Sequence, residues 1–485
     1  MERRPRSGAK ENWAWFGAIG RLPSAADRIF DEAQAHGFRF LWAFLPAPAV
    51  ARKRPFQHVV FSRFLSNAGQ QSVVFGALIA VARDGGSALE LALIGVAALA
   101  PPTLLGMYGG VIADELPKRI ALAGAYSCQA ALCFLIPPFL GTGLPVVLVL
   151  IFLVNVIGQV SSPAENSVLP LVSSDEELAS AVSIVNLAGG AGSGFGMAVL
   201  APIIVRTTGL EVIFYVGGAL LLLAASRVFD LQVIDQAWNG RLAPPGLRVR
   251  PAFTWVMRHP AVAMIIIVAV LAGTVGNVLS TLAPRYVEEV LRVDAANTAF
   301  VLIPSAVGVV LGLIAAPRIM RIRGERVAAL IGLVIGATFL TLLGVVGGVA
   351  EVIEPINPVR FLGSAGIYAG ERLRTASVLT LPLSFGVSLA AASAQTYINR
   401  RVPMVFQGRV FAIQSSLRNG ASLIPLLVLG AAANRFGADK VLLVMPAVLL
   451  LLGFALVEVS FRLARRAPPS YLEVLSSFWD RTGDS

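Results

Sequence analysis

The chain has 485 residues, of which 56% are hydrophobic and only 14% charged, and its mean hydropathy is +0.76. Soluble domains carry about a quarter charged residues, so the composition excludes an ordinary soluble protein. The formal net charge of +11 does not indicate a nucleic-acid partner. The arginines lie between apolar runs rather than in one patch, which is where the positive-inside rule places them in a membrane protein.

The apolar residues form twelve runs, each close to the length that crosses a bilayer as a helix. Only helices and closed barrels span lipid, and these runs lack the period-two alternation of barrel strands. The sequence therefore predicts an all-α integral membrane protein with twelve transmembrane helices. The predicted spans are 58–82, 90–112, 119–140, 145–163, 177–205, 210–229, 261–283, 297–317, 327–349, 376–398, 405–433 and 440–462.

The segment between the sixth and seventh spans is rich in arginine and proline, which is typical of a linker in water. It divides the chain into six plus six spans, the arrangement of one large class of secondary transporters. The predicted units are a tail at 1–55, a six-helix half at 56–230, a linker at 231–259, a second six-helix half at 260–465 and a tail at 466–485.

Lysine and arginine are more numerous in the connections on the side of the linker and both tails than on the opposite side. The positive-inside rule therefore predicts a multi-pass protein of the cell membrane with both termini in the cytoplasm.

The N-terminal 55 residues are unusual for a membrane protein. Ser24 and Asp27 fit the start of a helix, and the apolar stretch 38–45 is too short to span. Arg52, Lys53 and Arg54 follow it. One interpretation is a helix lying on anionic lipid headgroups; the other is an unstructured tail with an apolar patch.

The connection between the second and third spans carries a distinctive charge pattern, with Gly110 and Asp114 followed by Lys118 and Arg119. An acid at the end of a helix can accept hydrogen bonds from the N-terminus of a neighbouring helix. The two cations can bind partners on the cytoplasmic side in one conformation. We expect these four residues to form a conformational latch; the alternative is a loop that only fixes the orientation in the membrane.

This pattern resembles the loop motif between the second and third helices of the major facilitator superfamily, with departures at Glu115 and Pro117. The segments 64–70, 163–170 and 408–412 are also similar to that family, particularly to the bacterial exporters of enterobactin and macrolides. The resemblance covers about 56–465. It implies the major facilitator fold, which consists of two pseudo-symmetric six-helix halves.

Polar residues inside the spans are candidates for function, because polar groups are costly in lipid. The resemblance implies that the first, fourth, seventh and tenth helices line a central cavity. The candidate cavity residues on these spans are Asn67, Gln71, Asn155, Gln159, Asn277 and Gln395. The alternative for each is a hydrogen bond that holds two helices together.

Energy coupling by protons requires a carboxylate that titrates within the membrane. Glu165 is the candidate, because burial favours the protonated form of a carboxyl group; the alternative is a salt bridge at the cytoplasmic end. The fifth span contains glycine pairs spaced for close helix packing, Gly190 with Gly194 and Gly192 with Gly196. This stretch resembles the family's antiporter motif but lacks its proline.

No nucleotide-binding Gly-x-x-x-x-Gly-Lys-Ser/Thr motif and no catalytic motif occurs, so we expect neither an ATP-driven pump nor an enzyme, and no cofactor or metal. The sequence predicts a monomeric secondary transporter that exports amphipathic small molecules, drug-like or siderophore-like, by alternating access, with a proton or another ion as coupling partner. One alternative is a lysophospholipid transporter with a basic headgroup site at Arg63 or Arg418. Another is a membrane scaffold or sensor that uses the N-terminal tail.

Overall fold

The computed structural model describes residues 53–115, 117–173, 178–229, 249–294, 299–353 and 370–463. The first half contains α1 (Arg54–Arg83), α2 (Ala88–Glu115), α3 (Lys118–Leu140), α4 (Leu144–Val172), α5 and α6 (Leu210–Phe229). Helix α5 consists of Leu178–Phe195, a π-helical turn at Gly196–Leu200, and Ala201–Thr207. The second half contains α7 (Pro260–Glu289), α8 (Ala299–Arg323), α9 (Glu325–Gly344), α10 (Glu371–Arg401), α11 (Met404–Phe436) and α12 (Ala438–Leu463).

Each predicted span corresponds to one of these helices, and the all-α transmembrane fold is confirmed. Among the described residues, eleven helices are long and apolar enough to cross a membrane, and α12 contains a shorter apolar stretch, Lys440–Leu456. Helix α4 continues to Val172, nine residues beyond its predicted end. Hydropathy marks only the apolar part of a span, whereas the helix continues past it with a polar residue, Glu165, that is buried in the protein.

Short connections keep consecutive helices antiparallel. Gly324 and Gly437 precede α9 and α12 with φ of 83° and 93°, a left-handed conformation that glycine adopts without steric cost. Helix α2 begins with a capping box: Ser87 Oγ accepts the Glu90 N–H at 3.2 Å, and Glu90 Oε2 accepts the Ser87 N–H at 2.7 Å. Two donors that a helix start leaves unpaired are thereby satisfied.

Helix α1 is central to the first half, where it packs against α5 and α6. A Cβ placed on Gly192 would overlap the carbonyl oxygen of Phe64, and one on Gly196 would overlap that of Ala68. Gly190 and Gly194, by contrast, have open space around the Cβ position. Only the second of the two predicted glycine pairs therefore lets α5 approach the backbone of α1.

Helix α10 has the same central place in the second half, where it packs against α7, α8 and α9. A Cβ on Gly308 would overlap the carbonyl oxygen of Leu381. Gly332 of α9 and Gly386 of α10 lie so close that a Cβ on either would overlap the carbonyl oxygen of the other. Small residues thus set the closest helix contacts in both halves, as is usual where lipid supplies no hydrophobic driving force.

The two halves meet chiefly along α2 and α11, where Gly95 lies against Leu426 and Gly430 against Ala92. Polar contacts join the halves where α1 ends, which is the predicted outer end of the bundle. Arg83 Nε lies 3.4 Å from Asp294 Oδ2, and the Ala88 N–H donates to Asn434 Oδ1 at 2.6 Å.

The predicted linker ends in a short helix, Val249–Arg258, that packs against α7 and α11 with Val256 and Met257 buried. A second short helix, Val346–Ile353, follows α9. The N-terminal tail with its predicted surface helix, the rest of the linker and the C-terminal tail after 463 lie outside the described residues.

Substituting alanine for Gly192 or Gly196 should push α5 away from α1 and lower stability by about 1–3 kcal/mol, the usual cost of overpacking. Alanine at Gly190 or Gly194 meets open space and should leave stability unchanged or slightly raised, because alanine favours helix more than glycine does. Thermal unfolding of the four purified variants in detergent tests this. Equal unfolding temperatures for Gly192→Ala and Gly190→Ala would contradict the packing assignment.

Candidate transport site

A buried charge cluster joins α1, α3 and α4 in the first half. Arg63 and Glu165 form an ion pair through Nη1 and Oε2, and their side chains are only 19% and 7% exposed. The Tyr126 hydroxyl donates to Glu165 Oε1, and Ser66 Oγ donates to the same oxygen at 3.4 Å. A carboxylate away from water is stable only with such partners. The structure therefore contains the salt bridge that was one of the two interpretations of Glu165, and a role in proton transfer stays a prediction.

Two glutamines extend this cluster along the same helices. Gln70 Nε2 donates to Gln129 Oε1 at 3.2 Å, and Gln129 Nε2 donates to the Val154 carbonyl at 2.8 Å. Tyr126 and Gln129 were not among the predicted site residues. Their spacing of three within an apolar span was the available signal, since it places both on one face of α3.

Three of the four predicted cavity residues of the first half form hydrogen bonds to other groups of the protein. Asn67 Nδ2 donates to the Arg63 carbonyl at 2.9 Å, and its Oδ1 accepts from Ser193 Oγ of α5 at 3.3 Å. Asn155 and Gln159 each donate to the carbonyl four residues earlier in α4, at 2.9 Å. Gln71 is partly buried in α1. Asn67 thus makes the helix–helix contact that was the alternative to cavity lining.

The second half encloses a cavity of about 410 Å³ between α7, α8, α10 and α11. Its wall is mostly apolar, and Met197 of α5 and Ala88 of α2 complete it from the first half. Among the predicted residues, Gln395 lines this cavity. Asn277 lies beside it and donates to Ser422 Oγ at 3.0 Å, which ties α7 to α11. The other polar side chains in the wall include Ser280, Arg285, Ser305, Ser384, Gln414 and Arg418.

Arg418 stands in the middle of α11, about 20 Å along the helix from Met404 at 1.5 Å per residue. Its side chain is accessible within the cavity. The methylene groups of Arg418 lie over Gly273 of α7, where any Cβ would overlap them. The glycine therefore provides the space that lets the guanidinium reach across α7.

The predicted latch is described only in part. Gly110 and Asp114 lie in the last turns of α2, but their side chains fall outside the described part of the structure. Lys118 and Arg119 begin α3 and are half-buried. The Arg119 guanidinium lies 5.9 Å from the centre of the Phe229 ring at the end of α6. The latch itself stays a prediction.

Within the described ranges, no group of three or more histidine, cysteine or acidic side chains is placed to hold a metal ion. Both cysteines, Cys128 and Cys133, are free thiols.

The family model of the Major Facilitator Superfamily matches residues 59–425. The chain belongs to this superfamily. It is therefore a multi-pass membrane protein of a transporter family and not an enzyme, which confirms the family expected from the loop motif. None of the curated proteins matches the chain significantly.

Solved transporters share the fold. A mutant of the nucleoside transporter NupG is 14% identical with a TM-score of 0.63, and the match covers 84% of this chain and 100% of that one. A bacterial homologue of the iron transporter ferroportin, in an inward-facing state, is 16% identical with a TM-score of 0.56, covering 84% and 98%. A POT family transporter in complex with a thioalcohol-conjugated peptide is 12% identical with a TM-score of 0.57, covering 84% and 95%. At these identities the likeness shows the fold alone.

Removing either charge of the Arg63–Glu165 pair should destabilise the protein by about 3–5 kcal/mol, because the remaining charge is buried without a partner. The double variant Arg63→Gln/Glu165→Gln should recover most of that loss. Thermal unfolding of the single and double variants in detergent measures the coupling. Arg435→Gln, at an exposed position near the end of α11, is the control for loss of a cation. Single variants as stable as this control would contradict the importance of the pair.

Proposed function

We propose that this protein is a secondary active exporter of amphipathic small molecules that works by alternating access, as a monomer in the cell membrane with both termini in the cytoplasm. The cavity of about 410 Å³ supports this proposal most directly. Its size is that of a small-molecule site, and its apolar wall with a few polar groups suits a molecule with apolar and polar parts.

Alternating access requires contacts between the halves that can break. Arg83 with Asp294 and the Ala88 N–H with Asn434 supply such contacts at the predicted outer end. The Arg83 and Asp294 side chains are about one-third to two-fifths exposed, at 34% and 42%, so their attraction is screened by water and contributes little to stability. Separating the halves there would cost little and would open the cavity outward.

The buried pair in the first half supports coupling to protons. Arg63 belongs to α1 and Glu165 to α4, so a movement between these helices would separate the charges. A carboxylate left without its cation in a poorly hydrated site favours the protonated form. Glu165 would then bind a proton in one conformation and release it when Arg63 returns.

A lysophospholipid is a second candidate substrate, because Arg418 places a cation beside an apolar cavity. That arrangement could hold a charged headgroup with the acyl chain against the apolar wall. Transport assays with lipid and soluble probes distinguish the two candidates.

Asn434→Ala should raise the ratio of the outward-open to the closed form roughly fivefold. This factor corresponds to the loss of a helix cap, which is worth about 1 kcal/mol. Asn434→Asp keeps an acceptor for the Ala88 N–H and is the matched control. The measurement is the labelling rate of a cysteine at Ala438, a residue of the cavity wall, by a membrane-impermeant maleimide in a background without Cys128 and Cys133. Labelling of Asn434→Ala no faster than of Asn434→Asp would contradict a role of this contact in closing the outer end.

Efflux of fluorescent amphipathic dyes from proteoliposomes should depend on a pH gradient, and Glu165→Gln should reduce it to the rate measured without the gradient. Glu211→Gln, which neutralises an exposed acid at the start of α6, should behave as wild type. Equal gradient dependence in wild type and Glu165→Gln would overturn proton coupling through Glu165. Absence of flux for every dye, with flux of a lysophospholipid, would favour the lipid candidate. Absence of both would favour a role without transport.

In the same assay, Asp114→Asn should slow efflux with and without the gradient, because a latch acts on the conformational change rather than on the proton. If the loop only fixes the orientation in the membrane, correctly inserted Asp114→Asn protein should transport at the wild-type rate. Accessibility of a tagged N-terminus establishes the insertion.

A further inference from the structure

The structure assigns to Arg418 the role of an anion anchor, so that the cavity selects amphipathic molecules carrying one acidic group. This inference rests on the proposed function, because it concerns the substrate of the same cavity.

The first observation is that Arg418 is a cation without a counter-charge. Among the described residues, no aspartate or glutamate lies within ion-pair distance of its guanidinium. The second cation of the cavity wall, Arg285, has one, since its Nε lies 3.4 Å from Glu289 Oε2. A charge at mid-membrane depth that faces a cavity and lacks a protein partner marks a binding position for an opposite charge.

The second observation is an unsatisfied polar atom one helical turn earlier. Gln414 also lines the cavity, and its Oε1 is buried without a hydrogen-bond partner in the described structure. Residues four apart lie on one face of a helix, so Gln414 and Arg418 face the cavity together. A hydroxyl O–H or an amide N–H next to the acidic group of a ligand would donate to this oxygen.

The third observation is that the Arg418 methylene groups pack against α7 and that this turn of α11 is hydrogen-bonded to the same helix. The Arg418 carbonyl accepts Ser422 Oγ at 2.7 Å, and Ser422 also bonds Asn277 and Thr274 of α7. Gly273, one residue before Thr274, leaves room for the side chain to cross α7. A cation positioned in advance binds an anion at a lower cost in conformational entropy.

These features define the ligand by its chemistry. A carboxylate, sulfonate or phosphate monoester would pair with Arg418, and its apolar body would pack against α7, α8 and α10. A cationic amphiphile would be repelled. The paired acid Glu165 of the first half does not supply the missing charge, because it is already bound to Arg63.

The test uses the full-length protein in lipid nanodiscs and two fluorescent probes of equal size, 11-(dansylamino)undecanoic acid and its primary amide. Wild type should bind the acid at least about tenfold more tightly than the amide, as expected for a charged hydrogen bond. Arg418→Gln should remove this preference while keeping amide binding, which also shows that the variant is folded. Arg418→Lys should keep part of the preference for the acid, and Arg435→Gln should keep all of it.

Equal affinity of wild type for acid and amide would overturn the inference, and so would an undiminished preference in Arg418→Gln. The first of these measurements needs no variant, so the inference remains open to refutation if Arg418→Gln does not fold.

Competition distinguishes the two sources of such an anion. Displacement of the bound acid at lower concentrations of lysophosphatidic acid than of decyl phosphate would identify a membrane lipid; the reverse would identify a soluble amphiphile. Displacement by neither would contradict an anion site.

Failure of the inference and failure of the proposed function give different results. Gradient-driven export of neutral dyes without a preference for the acid probe would leave export standing and remove the anion anchor. Arg418-dependent binding of the acid, with no gradient-driven flux of any probe, would leave the anchor standing and remove export.

Discussion

The structure depends on one constraint, which is that the lipid core offers no water to a polar group. The first half meets this constraint by pairing Arg63 with Glu165 and by adding Tyr126 and Ser66 as donors to the carboxylate. Because these side chains come from α1, α3 and α4, satisfying the charges also ties the three helices together in this conformation.

The two halves pack their helices in the same way but differ in the surroundings of their buried charges. In each half a central helix, α1 or α10, is approached closely through glycines of its neighbours. Beside its central helix, the first half contains a closed polar network around Arg63 and Glu165. The second half leaves a cavity and an accessible arginine. The pseudo-symmetric fold therefore combines a half closed by a polar network with a half that contains a cavity.

The sequence predicted the fold well, because hydrophobicity over about 20 residues is what lipid requires of each span. The site was predicted less well, because residues of one type have different surroundings. Asn155 bonds its own helix, Asn277 bonds α11, and Gln395 lines the cavity. These outcomes depend on the rotation of each helix about its axis, which tertiary packing decides. The same rotation separates Gly192 from Gly190, and it explains why Tyr126 was missed within an apolar run.

The π-helical turn at Gly196–Leu200 changes the register of α5. Pro202 lacks an N–H, and beside it the Ala201 N–H bonds to the Gly196 carbonyl, five residues back. The widened turn rotates the remainder of α5 by roughly 100°, the angle of one residue in an α-helix. An alignment without a gap at this turn would therefore place Ala201–Thr207 one position out of register with a relative whose fifth helix is regular.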